Sequence, residues 1–220
     1  MWLEYLLALV ALAAALATRP WRLLASRKPL VHESHGAASA LWTPLLATLV
    51  FLPWLWALPT LHQMPLQLQW SGACLVVLML GWPLAIPVLL AVGAIAGVLS
   101  PALNWADALG AAIWLGVVPA TLALALGALV RRFVGTQPFV YVLGRAFLGT
   151  VACVFASGVL SQWSGHLLPG VGSELSLVAR WLMAWGDGFV TGMLTAIFVA
   201  FKPEWLATWS DQLYLQRPPQ

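Results

Sequence analysis

Between Trp70 and Leu99 the chain runs for 30 residues without one charged side chain. As an unbroken helix that stretch would be about 45 Å long, against a bilayer hydrocarbon core of about 30 Å. A run of this kind cannot be the core of a small soluble domain, because nothing in it can face water. It reads instead as a helical hairpin inside a membrane, turning at Gly81-Trp82-Pro83. Pro83 lacks an N–H and pushes Trp82 out of the α region, so a helix breaks there.

The rest of the chain repeats the pattern. Apolar runs are expected to span over Trp2–Thr18, Ala37–Leu58, Asn104–Val130, Pro138–Gln162 and Ser176–Phe201. Of the 220 residues 62% are apolar and 8% charged, with a mean hydropathy of +0.91. A soluble domain carries roughly a quarter of its residues charged. The expected fold is therefore all-α: a polytopic integral membrane bundle of six or seven transmembrane helices, over residues 1–201. Residues 202–220 are expected to form an interfacial helix and a cytoplasmic tail. Pro203 and Glu204 suit a first helical turn, and Trp205 with Trp209 recurs at helical spacing.

The net charge of +3 follows topology rather than an anionic partner. Arg19, Arg22, Arg27 and Lys28 share one loop, Arg131 and Arg132 another, and Lys202 and Arg217 the tail. Seven crossings put all three clusters on one side, which the positive-inside rule makes cytoplasmic. The lipid bilayer is the expected surrounding, with no nucleic-acid partner. Leu3–Thr18 has its basic residues after it, not before it, so it reads as a retained helix rather than a secretory signal. Trp2, Trp21, Trp42, Trp70, Trp105, Trp163 and Trp205 fall near span ends, where an indole sits at headgroup level. Trp54, Trp56, Trp114, Trp181 and Trp185 are expected to pack between helices.

Polar residues at membrane depth are costly, so they mark function or a fixed register. Arg145 lies inside its span and Asp187 near the middle of the last one. A guanidinium and a carboxylate in neighbouring helices can neutralise each other, as a substrate-coordinating gate or as a structural ion pair. Gly188 with Gly192, and Gly93 with Gly97, are small-xxx-small pairs that suit close helix packing. His32 and His35, three apart, share a helical face and offer two imidazoles to a divalent cation, or are solvated juxtamembrane residues. Cys74 and Cys153 form no CxxC site. No nucleophile elbow, HExxH or phosphate-binding loop occurs, so no enzyme is expected.

Three stretches carry a resemblance: Gln69-Trp70-Ser71-Gly72-Ala73 with Val77–Trp82, Phe139–Val142 with Arg145–Gly149, and Asp187–Leu194 running on to Lys202–Trp209. In order and spacing the chain resembles the bacterial energy-coupling-factor (ECF) ABC transporter permeases of the CbiM-like cobalt/nickel-uptake superfamily. The resemblance implies a compact helical bundle in the cell inner membrane that takes up a transition-metal ion as substrate, with no tightly bound cofactor. It also implies partner subunits, a membrane coupling protein and ATPases. The chain begins Met1-Trp2-Leu3, without the Met-His metal hook of cobalt and nickel members. Where nearer members have His, Asn, Asn and Glu, it has Gln69, Ala111, Arg145 and Asp187. The implied pathway is Gln69 and Asp187, with Arg145 beside them and His32 and His35 as further ligands. The other reading is a non-transporting scaffold or assembly protein that keeps the fold without the metal.

Overall fold

The computed structural model describes residues 2–25, 40–61, 69–100, 103–135, 137–168, 172–210 and 214. Among these residues there are eight helices and no strand. They are α1 (Trp2–Ala17), α2 (Trp21–Ala25), α3 (Trp42–Leu61), α4 (Ala73–Leu80), α5 (Trp82–Leu99), α6 (Trp105–Phe133), α7 (Val140–Trp163) and α8 (Ser173–Phe201). Five of them, α3 and α5 to α8, are long and apolar enough to cross a membrane, and α1 is a shorter apolar helix of 16 residues. The all-α bundle expected from the apolar runs is the fold.

Contacts between ends fix the direction of each helix. At one end Glu4, near the start of α1, meets His166 between α7 and α8 at 2.8 Å. Thr60 at the close of α3 bonds Ser100, just past α5, at 2.8 Å at that same end. At the other end Gly81 lies beside Leu23 and Ala207. This second end collects Arg19, Arg22, Arg131, Arg132 and Lys202 and is called the basic end below.

The hairpin expected at Gly81-Trp82-Pro83 is present, but its first arm is short. Gly81 takes φ 77° and ψ 153°, and Trp82 and Pro83 start α5. The helix α4 has only eight residues, about 12 Å. It runs from the middle of the bundle, where Ser71 meets Asp187, to the basic end. Every residue of α4 is buried, because α3, α5, α6, α7 and α8 surround it. The third crossing is thus made of a non-helical stretch, Gln69 to Gly72, and a half-length helix.

The small-residue pairs pack as expected. A Cβ on Gly188 would meet Val151 at 2.5 Å, and one on Gly93 would meet Ala112 at 2.5 Å, so each helix pair touches through backbone. Trp56 is buried between helices, whereas Trp54 and Trp181 lie on the outer face at 55% and 41% exposure, contrary to expectation. A helical face that borders lipid need not hide an indole.

Past α8 the structure departs from an interfacial helix. Pro203–Trp205 makes one 3-10 turn, after which the Ala207 N–H donates to Met79 O at 2.9 Å and the Thr208 N–H to Leu78 O at 3.3 Å. Those amides serve the open carbonyl end of α4, so the segment packs into the bundle. Leu206, Trp209 and Tyr214 are buried there. The remaining residues of the expected tail lie outside the described residues.

Candidate functional site

A helix that starts at mid-depth leaves backbone N–H groups pointing into a region without water, and each needs an acceptor. Asp187 supplies it from the midpoint of α8. Its Oδ2 accepts the Ser71 N–H at 2.8 Å and its Oδ1 the Gly72 N–H at 3.3 Å. The carboxylate is 2% exposed and sits at the positive end of the α4 dipole. Gly72, at φ 64°, turns the chain so that both amides point the same way, a conformation glycine adopts without strain. The Trp56 indole N–H, at 3.1 Å from Trp70 O and 3.2 Å from Ser71 O, ties the same stretch to α3.

A second irregularity lies opposite, in α6. Residues Ala112–Val117 form a π-helical stretch in which Val118 N–H reaches back to Ile113 O. Pro119 follows and has no N–H to give, so the Trp114 and Leu115 carbonyls lose their donors within the helix. Side chains replace them. The Ser71 hydroxyl donates to Leu115 O at 2.6 Å, and the Ser157 hydroxyl donates to Trp114 O. Two segments, one non-helical and one distorted, therefore converge near Asp187, each satisfied by a partner from another element.

Above this floor, toward the Glu4 end, a cavity of about 390 Å³ opens between α6, α7 and α8. Thr60, Gln69, Ser71, Trp114, Ser161 and Arg180 give it most of its polar lining. Ala111 also lines it, and Asp107 stands exposed at its side. His166 closes another side, with Nε2 2.8 Å from Glu4 Oε1, and the Trp114 indole N–H donates to the same oxygen at 3.3 Å. The Arg180 guanidinium is held by a 2.6 Å bond from Nη2 to His166 O. Its stem lies across Gly158, where a Cβ would come within 3.1 Å of Arg180 Cδ.

Of the residues expected at the site, Gln69 lines the cavity and Asp187 fixes its floor through Ser71. Arg145 does neither, and the expected Arg145–Asp187 pair is not formed. Arg145 points from α7 toward α6, where Gly127 leaves room for it; a Cβ there would sit 2.7 Å from Nε. Its guanidinium lies 5.6 Å above the Tyr141 ring, and its buried Nε and Nη1 have no hydrogen-bond partner. Asp187 takes backbone amides instead because the broken third crossing brings two of them to it. A gate made of this pair is excluded by that geometry.

His32 and His35 lie outside the described residues. Among the described residues no three His, Cys, Asp or Glu side chains come together as a metal-binding group. Cys74 and Cys153, 79 positions apart in sequence, interact side chain to side chain as buried free thiols. Sequence reasoning overlooked Ser71, Ser161 and Arg180. Arg180 carried a weaker form of the Arg145 signal, a charge four residues into an expected apolar run, and could have been found by it. The chain matches no protein-family model, no curated protein and no solved structure.

Proposed function

We propose that this protein is a membrane permease component of the energy-coupling-factor type, taking up a small solute through the cavity, with a transition-metal ion as the cargo. The observation that carries the reading is the cavity resting on a helix that starts at mid-depth. Burying a helix end there is costly unless something uses it, and transporters place their binding sites at such interruptions. Two of the positions where the resemblance marks altered ligands, Gln69 and Ala111, line this one cavity, and a third, Asp187, anchors its floor. The solute enters from the Glu4 end. The basic end faces the bacterial cytoplasm under the positive-inside rule, and coupling and ATPase subunits dock there.

A non-transporting scaffold is the competing reading, favoured by the lack of a three-ligand metal group among the described residues. Cellular cobalt, nickel, zinc and copper, measured by mass spectrometry, separate the two. A deletion strain is expected to lose part of one metal, restored by the wild-type gene but not by Gln69→Ala or Asp187→Asn. Unchanged content of all four metals in the deletion strain would reject transport and leave the scaffold.

A further inference from the structure

The cavity has the wrong lining for a bare cation. Gln69 and Ala111 offer no charge, and Glu4 Oε1 is already bonded by His166 and Trp114. The fixed positive charge is Arg180, partly buried in α8 and without a carboxylate partner among the described residues. Its Nη2 is committed to His166 O, and its Nε is enclosed with no acceptor. The Gly158 contact and the His166 bond hold the guanidinium plane in place before any ligand arrives. A pre-positioned guanidinium is the group best matched to a carboxylate, by charge and by its planar array of donors. Ser161 adds a hydroxyl to the lining, whereas those of Thr60 and Ser71 are engaged with Ser100 and with Leu115 O. At about 390 Å³ the space lies in the range that holds a small organic ligand. Among the described residues, Asp107, exposed at the side, is the one carboxylate that lines the cavity.

From this geometry we infer that Arg180 anchors a small carboxylate-bearing solute in the cavity, either the free organic acid or its metal chelate. The inference rests on the permease reading and sharpens it: a metal cargo arrives with its own ligands, and the protein reads those ligands. The metal then needs no three-residue cage from the chain, because the acid supplies the oxygen donors. Arg180 attracts such a complex, whereas it repels a bare divalent ion in the same low-dielectric space.

The test is calorimetric titration of the full chain in detergent micelles with four probes: citrate, nickel citrate, nickel chloride and the triamide of citrate. Citrate or its nickel complex is expected to bind while the uncharged triamide does not. Comparing the first two tells free acid from chelate. Arg180→Gln is expected to weaken binding by about tenfold or more, the worth of a charge-assisted hydrogen bond, with Arg180→Lys in between. The triamide comparison uses wild-type protein, so it stands even where a variant folds poorly. Nickel chloride binding as tightly as nickel citrate, or binding of citrate untouched by Arg180→Gln, overturns the inference and leaves metal uptake to its own cellular test. Binding of none of the four probes overturns it as well.

Discussion

Asp187 and Arg145 are both buried charges, and the bundle treats them in opposite ways. The carboxylate has two backbone donors, so removing it strands two amides at mid-depth. Asp187→Ala is expected to destabilise the bundle by about 2–3 kcal/mol, and Asp187→Asn by less, since the amide oxygen still accepts one N–H. Arg145 has two nitrogens without acceptors, so an apolar side chain of similar length loses only the contact with the Tyr141 ring. Arg145→Met is expected to be neutral or stabilising, as replacement of a poorly compensated buried charge often is. Thermal unfolding in detergent measures all three. A Met variant that melts as low as Asp187→Ala would mean that Arg145 has a partner the bundle depends on. The sequence singled out both residues, because a charge inside an apolar run is conspicuous. It paired them wrongly, because a carboxylate is satisfied equally well by backbone amides. Which amides are free depends on Gly72 adopting a positive φ, and that has no side-chain signature.

Elements with interruptions hold each other in register. In α6, Pro119 deprives Trp114 and Leu115 of donors, and Ser71 from the third crossing caps Leu115 O at 2.6 Å. Ser71→Ala is therefore expected to cost about 1–2 kcal/mol, the usual penalty for an orphaned buried carbonyl. Pro119→Ala restores an N–H at the position where an α-helix would bond Leu115 O. In that background Ser71→Ala is expected to cost less, and a double-mutant cycle on unfolding free energies reads the difference. Strictly additive effects would mean that the hydroxyl and the proline act independently. The break at Gly81-Trp82-Pro83 was legible because glycine and proline punctuate a helix locally. The π stretch was not. Pro119 can interrupt a helix, but widening rather than kinking is decided by the Ser71 and Ser157 hydroxyls from other elements. The segment after Lys202 was misread for the same reason. Its spacing of Trp205 and Trp209 suits a surface helix, yet the open carbonyls of α4 pull Ala207 and Thr208 inward.

The whole molecule is polarised along the bundle axis. Arg19, Arg22, Arg131, Arg132 and Lys202 gather at the end where Gly81 meets Leu23 and Ala207, while Glu4 and Asp107 mark the other. That separation was legible by counting crossings, provided the short α4 and the stretch before it are counted as one. The count works because α4 begins where Asp187 sits and ends at the basic end, although it is too short to cross by itself. The arrangement predicts a labelling pattern for a membrane-impermeant maleimide applied to intact cells and to inverted vesicles. Arg131→Cys and Lys202→Cys should share one side, and Asp107→Cys should take the other. Cys74 and Cys153 are each 3% exposed, so the unsubstituted protein gives little background. With the basic end cytoplasmic, Asp107→Cys reacts in intact cells and the other two only in inverted vesicles. Reaction of Asp107→Cys and Lys202→Cys from the same side would remove the odd number of crossings. The cavity would then no longer open on the face opposite the basic loops, and uptake from that face would lose its structural basis.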